Sequence, residues 1–303
     1  MYNEYMKTPY FESLEEALKT LFNDANIVSS QTVSGGAINK ARKLTLSNGQ
    51  VVFLKFNDFD TLPFFQTEVT SLDTLRDTHT IGVPQVYGYG IDAKDHMAFI
   101  LLEYLSSSKE YDWKTFGHEL AQMHRANTSH AITGGTYGFL ENNFIGSMPQ
   151  INTPHDSWIE FYIEERLMPQ FKWADSYFTK EEKEEIVAYL EKAKSFLIEP
   201  SFPSLLHGDL WIGNTIVGSD DKVWLIDPGS YVGHYEAELA MTELYGGYPR
   251  QFYQAYYEII PQEEGYEIRR DIYNLYHTVN HLNIFGGMYY QASLNLMKKL
   301  LSL

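Results

Sequence analysis

The sequence predicts an α+β chain in two lobes, a small antiparallel β-rich lobe over residues 1–105 and a larger, mainly helical lobe over 106–303. Three observations carry this reading. Strand-period alternation around an Asn-Gly turn dominates residues 27–57. Helical spacing takes over from about Tyr111. Short apolar runs then return at SLLHGDL, NTIVG and KVWLIDP before helical patterns resume to the end.

Residues 11–22 read as an amphipathic helix, with Leu14, Ala17, Leu18 and Leu21 on one face. Residues 44–46 and 51–56 alternate on either side of Ser47-Asn48-Gly49, a hairpin signal. Before this hairpin, Ser34-Gly35-Gly36-Ala37 is a small-residue turn. After it, Phe65, Val69, Leu72 and Leu75 have helical spacing. IGVPQVYGYG and MAFILLEYL read as two further strands, ending near Leu105. WKTFGHELAQMHRAN, SWIEFYIEERLMPQF and TKEEKEEIVAYLEKAKSFL read as helices. Between the first two, TYGFLENNFIGSMPQIN reads as an irregular loop, long for a simple connection.

Composition narrows the function classes. The 303 residues are 44% hydrophobic and 21% charged, ordinary globular usage. There is no cysteine, which removes disulfides, a thiolate nucleophile and zinc-thiolate sites. Forty acidic residues face 23 basic ones, a net charge of -17. Gripping a nucleic-acid backbone needs clustered Lys and Arg, so nucleic acid is excluded as the main partner. EEKEE at 181–185 shows that part of the excess is a solvated helix face. No apolar run reaches the ~18 residues of a membrane span, so no membrane partner is expected. The start lacks a basic segment followed by an apolar one, and the expected compartment is the cytoplasm.

The most specific segment is LLHGDLWIGNTIVGSDDKVWLIDPGS, residues 205–230. Asn214 follows Asp209 by five positions, and Asp227 follows an apolar strand. This resembles the catalytic core of the protein-kinase-like fold, where H-R-D-x-x-x-x-N precedes a D-F-G acid. Here Gly208 stands for the Arg and Pro228 for the Phe, as in small-molecule kinases related to aminoglycoside phosphotransferases and choline kinases. The resemblance implies ATP and Mg2+. Asp209 would accept the substrate hydroxyl proton, and Asn214 and Asp227 would hold Mg2+, a hard cation that prefers oxygen. Lys55, in the strand-period VVFLKF, resembles the lysine that contacts the α- and β-phosphates, with Glu68 on the following helix as its ion-pair partner. Ser34, Gly35, Gly36 and Ala37 would form the nucleotide loop, their N–H groups facing phosphate. Backbone groups at Glu103 and Leu105 would meet the adenine edge.

Nearly the whole chain is similar to the fructosamine kinase family, through SGGAIN, FILLEYL, YGFLENNFIGSMPQIN, LLHGDLWIGN, LIDPGSYVGHYEAELAMTELYGGYP and YHTVNHLNIFG. This resemblance implies ATP-dependent phosphorylation of the 3-hydroxyl of a ketosamine (ribulosamine, erythrulosamine or fructosamine). The unstable 3-phosphate then detaches, which deglycates an amine. The acceptor is a small ketosamine or a glycated protein. Trp211 offers an aromatic face to the sugar or to the cationic amine. His281 is a candidate partner for a sugar hydroxyl, with a satisfied helix histidine as the competing reading. His277 is read as structural, and His234 as either loop bracing or substrate contact. Tyr289, within MYYQ at 288–291, is read as helix packing.

Three positions depart from the family pattern: Ile212, Tyr235 and Glu238. Glu238 is expected to brace the catalytic loop from a neighbouring helix. A kinase for an aminoglycoside, choline or another amino-alcohol would share the same core. A nucleotide-binding protein without catalysis is the third reading, and intact Lys55, Asp209, Asn214 and Asp227 argue against it. The short path from Asp227 to GHYEAELAM leaves little room for the activation segment of a protein kinase.

Overall fold

The computed structural model describes residues 8–33, 39–108 and 111–303. The expected nucleotide loop, Ser34 to Ala37, lies outside the described residues. β1 (Tyr10–Phe11) and α1 (Leu14–Leu21) open the chain. The helix starts later than the 11–22 pattern suggests, because Ser13 caps it by accepting the Glu16 N–H at 3.0 Å. Phe11 instead enters β1.

β2 (Ile27–Val33), β3 (Lys40–Leu46) and β4 (Val51–Asp58) form an antiparallel meander. Gly49, at φ +85°, makes the tight β3–β4 turn that the Asn-Gly pair predicts. α2 (Leu62–Arg76), β5 (Val86–Asp92) and β6 (Met97–Glu103) follow. The six-stranded sheet has the order β1-β5-β6-β4-β3-β2, and all neighbours are antiparallel except β1 and β5.

β4 is central, and its alternation positions the site. Val52 and Leu54 pack with Leu44, Leu46, Phe99 and Leu101 beneath α1. Lys55, one position on, therefore points to the opposite face, toward α2. On that face Ala98, Ile100 and Leu102 join Phe65, Leu72 and Leu75 of α2 in the main core, which continues into the helical part of the chain.

That part contains α3 (Trp113–His124), β7 (Asn143–Ile145), β8 (Met148–Gln150), α4 (Trp158–Phe161), a π-helical turn (Tyr162–Leu167), α5 (Met168–Trp173) and α6 (Lys180–Phe196). β9 (Ser204–Leu206), β10 (Thr215–Val217), β11 (Val223–Leu225) and β12 (Tyr231–Gly233) come next. α7 (Tyr235–Leu244), α8 (Arg250–Ile259), α9 (Tyr266–Phe285) and α10 (Tyr290–Leu301) complete it.

Two further features differ from the sequence reading. The Gly- and Asn-rich segment expected to be an irregular loop holds the β7–β8 hairpin, turned at Gly146 with φ +60°. The helix expected over SWIEFYIEERLMPQF is interrupted by the π-turn. Pro169 has no N–H to offer the Glu165 carbonyl, and its ring crowds that carbonyl. The carbonyl instead accepts from Arg166 Nη1 at 3.1 Å. No helix among the described residues is long and apolar enough to cross a membrane.

Candidate active site

The Lys55 ammonium lies between two carboxylates. It donates to Glu68 Oε1 at 2.6 Å and to Asp227 Oδ1. The expected β4–α2 ion pair is thus formed, and Asp227 is brought to it across 172 positions of chain. Burial alone would lower the Lys55 pKa. The charges of Asp227 and Glu68 more than offset this and hold it above its ordinary value. Burial raises the Glu68 carboxyl, and Lys55 opposes that rise. Asp227 sits at φ +57°, a left-handed conformation uncommon outside glycine. This backbone turn presents its half-exposed carboxylate to Lys55.

Asp209 and Asn214 meet within one loop. Asn214 Nδ2 donates to the Asp209 carbonyl at 2.8 Å and to Asp209 Oδ2 at 3.0 Å. Its Oδ1 is left as the atom suited to a cation. Burial pushes the Asp209 carboxyl up to about 7 against the Asn214 hydrogen bond, and the negative Asp227 and Glu238 add to the rise.

The 207–214 and 226–229 segments are laced together by backbone and imidazole. His207 Nε2 donates to the Ile226 carbonyl at 2.8 Å, and its Nδ1 accepts the Asp209 N–H at 3.3 Å. With both ring nitrogens engaged, the imidazole is neutral, and burial lowers its pKa. Gly229 N–H donates to the His207 carbonyl at 3.0 Å. Gly208, at φ +88°, lies against this crossing, where a Cβ would fall 2.0 Å from the Gly229 oxygen. An arginine cannot stand there, which explains the Gly of His-Gly-Asp. Gly208 N–H donates to Glu238 Oε1 at 2.8 Å. Glu238 therefore braces the loop from α7, as expected.

The β7–β8 hairpin supports the segment after Asp227. Gln150 Nε2 donates to the Gly229 carbonyl and to Asn143 Oδ1, both at 2.8 Å. Asn143 Nδ2 donates to the Ser230 carbonyl at 2.7 Å. Behind them, the fully buried Arg166 donates to Asn152 Oδ1 at 2.7 Å, and its guanidinium lies 4.0 Å from the Tyr231 ring centre. The π-turn aims this arginine inward. The hairpin also grips α2: Phe144 stacks on Phe64 at 3.9 Å, and Glu141 accepts the Thr70 hydroxyl at 2.5 Å. No local pattern marked Gln150, Asn143 or Arg166. The signals available were a polar-rich stretch and an Arg that falls among the apolar positions of its helix.

Trp211 and His281 lie 70 positions apart but are linked by Tyr245, which the sequence reading did not single out. The Trp211 and Tyr245 rings meet edge-on at 5.9 Å, and Tyr245 Oη bonds His281 Nδ1. Gly213 leaves room for the indole, since a Cβ there would sit 2.3 Å from the Trp211 ring. Tyr289 stacks on His281 at 5.1 Å, so it belongs to this face as well as to helix packing.

His277 is buried, and burial lowers its pKa to about 3, in keeping with a structural role. His234 is fully buried and caps α7 by accepting the Glu236 N–H at 3.1 Å, which removes it from substrate contact. Tyr235 stacks on Phe202, while Ile212 is exposed. Glu103 ends β6 with its N–H on the Gln85 carbonyl and its carboxylate accepting the Gln85 N–H. Leu105 is half-buried two residues beyond. Among the described residues no group of three or more His, Asp or Glu is arranged to hold a metal by itself.

The fructosamine kinase family model matches residues 10–303. The chain belongs to the fructosamine kinase family. A chloroplastic protein-ribulosamine 3-kinase of Oryza sativa subsp. indica is 35% identical over 280 residues, covering 89% of this chain and 78% of the relative. The ketosamine-3-kinase of Mus musculus is 30% identical over 310 residues, covering 95% and 99%. A solved structure of a candidate fructosamine-3-kinase from Haemophilus somnus superposes with a TM-score of 0.84 at 31% identity, covering 95% and 97%. The architecture is the two-lobed protein-kinase-like fold of that family, with a sheet-rich N-terminal part and a helical C-terminal part.

Proposed function

We propose that this chain is an ATP-dependent kinase that phosphorylates the 3-hydroxyl of a ketosamine, on a small molecule or a glycated protein. The observation that supports it most is the convergence of Lys55, Glu68 and Asp227 beside the Asp209–Asn214 pair in a fructosamine kinase family chain. In this reading Asp209 orients the acceptor hydroxyl and takes its proton as the sugar oxygen attacks the γ-phosphorus. The bond from that phosphorus to the β,γ-bridging oxygen breaks, and ADP leaves. Lys55, fixed by Glu68, turns to the phosphates of the nucleotide. The backbone near Glu103 and Leu105 receives the adenine.

The donor set fits Mg2+. Asp227 offers an accessible carboxylate and Asn214 an amide oxygen, and Mg2+ commonly takes one or two protein ligands, with phosphate and water completing its shell. The cation neutralises phosphate charge when bound. Because the site is built from one lysine and oxygen donors, it needs no thiol.

The test is incubation with Mg-ATP and ribulosamine, erythrulosamine or fructosamine, with the product identified by mass and by phosphorus NMR. A ketosamine 3-phosphate is expected. Absence of product with all three, from protein that binds ATP, removes the reading. An aminoglycoside and choline in the same panel separate the amino-alcohol alternative.

A further inference from the structure

Tyr245 stands at the exposed end of α7 and is 36% exposed. Its ring is one of five in continuous contact: Trp211 to Tyr245 at 5.9 Å, Tyr245 to His281 at 5.3 Å, His281 to Tyr289 at 5.1 Å and His281 to Phe285 at 5.5 Å. Trp211 lies two residues after Asp209, so the series starts beside the reacting group and ends at Phe285, which is half exposed. Burial, then Tyr289, then the charge of Asp209 push the Tyr245 phenol pKa up, so the phenol keeps its proton. Burial also lowers the His281 pKa to about 4, which leaves the imidazole neutral. A phenol hydroxyl can donate to the Nδ1 of a neutral imidazole or accept from its Nδ1–H, so this contact couples Tyr245 to the choice of His281 tautomer, and a donating phenol places the ring proton on Nε2.

We propose that Tyr245 is a specificity-determining residue of the acceptor site: its hydroxyl holds His281 as the Nε2–H tautomer, and its ring joins Trp211 to His281 in one uncharged aromatic face for the protonated secondary amine of the acceptor. This rests on the ketosamine kinase reading. Two pieces of chemistry support it. Aromatic faces attract cations through their ring quadrupole. A single imidazole tautomer presents a donor, rather than an unpaired acceptor, to the sugar hydroxyls. A second cation at His281 would repel the amine, and the Tyr245 contact opposes one by occupying the nitrogen that would have to gain the proton.

The experiment uses the full chain and two variants, Y245F and Y245L, with thermal melts to establish that both fold. Imidazole 15N spectra, assigned with H281Q, read the tautomer. Kinetics read KM for ribulosamine and for ATP, and calorimetry reads ribulosamine binding without nucleotide. Y245F is expected to populate the other tautomer and to raise the ribulosamine KM roughly fivefold, the usual effect of losing one hydrogen bond, with the ATP KM unchanged. Y245L is expected to lose, in addition, most of the preference for ribulosamine over the amine-free ketose. An unchanged ribulosamine KM in Y245F, or a retained amine preference in Y245L, overturns the proposal. If the wild type binds ribulosamine but does not phosphorylate it, the kinase reading fails while the binding arm still tests Tyr245. If it does neither, both fail.

Discussion

Glu238 accepts the Gly208 N–H at 2.8 Å through one carboxylate oxygen and holds His124 Nε2 at 2.7 Å through the other. His124 in turn bonds the Tyr256 hydroxyl at 2.7 Å. All three side chains are buried, so α3, α7 and α8 converge on the backbone N–H of Gly208, the residue before Asp209. Replacing Glu238 by Ala strands a buried N–H and a buried imidazole nitrogen. A loss of about 3 kcal/mol in unfolding free energy is expected, measured by urea denaturation. Glu238→Gln retains one oxygen and should lose less stability, while lowering kcat. If Glu238→Ala unfolds at the wild-type midpoint, the brace is idle.

In the proposed mechanism Asp209 carries the pH dependence. Its pKa is raised from 3.8 to about 7 by burial, so in the free protein it is partly protonated at neutral pH. Acceptor kcat/KM should therefore fall as the pH drops through about 7. The stability sign runs the other way. A raised folded pKa favours the folded state fully below 3.8, and that contribution is lost as the pH rises through about 7. Asp209→Asn cannot ionise, so its melting temperature should gain on the wild type between pH 5 and pH 8. The same variant should lose turnover by roughly 100-fold or more and keep ATP binding. A constant melting difference across that range would show that burial leaves the carboxyl unshifted.

Lys55 and Glu68 should separate by severity. Lys55→Met removes the cation proposed to meet the phosphates and leaves Glu68 buried with no ammonium, and kcat should fall by about 100-fold or more. Glu68→Gln leaves Lys55 its Asp227 contact and should be milder, expressed mainly as a raised ATP KM. Steady-state kinetics on both variants decide this. Equal severity would mean that Glu68 does more than hold the lysine.

Gln150 links the β7–β8 hairpin to the loop after Asp227, which would hold Mg2+ in the proposed mechanism. Gln150→Leu deletes donors to Gly229 and Asn143 and the acceptor of the Tyr276 hydroxyl. The Gly229 carbonyl and the Tyr276 hydroxyl then lose their partner, while Asn143 Oδ1 keeps the Asn152 amide, at a cost of about 2 kcal/mol or more. Because Asp227 lies two residues before Gly229, the variant should also need more Mg2+ for half-maximal rate and should show a smaller thermal shift with Mg-ATP. Wild-type Mg2+ dependence with normal stability would detach the hairpin from that loop.

The residues with local signatures were legible. Alternation in VVFLKF placed Lys55 on the face opposite Leu54, and the spacing within HGDLWIGN paired Asp209 with Asn214. Glu238 was anticipated as a brace. Tyr245 was not, because nothing near it in the sequence marks it: its partners Trp211 and His281 lie 34 and 36 positions away on other elements. The π-turn was hidden for a related reason. Residues 158–173 keep a helical pattern, and only the missing Pro169 N–H, combined with the inward pull on Arg166, opens the turn.

The sequence by itself determined the two-lobed α+β plan through periodicity, the order of the acidic and basic groups through spacing within single segments, and the family through the resemblance of its motif strings. Only the tertiary structure decided that Asp227 turns through a left-handed backbone to meet Lys55, that a buried hairpin carries the loop behind it, and that one tyrosine joins Trp211 to His281. Each of these depends on contacts across distant elements, and side-chain geometry between such elements is set by packing in three dimensions.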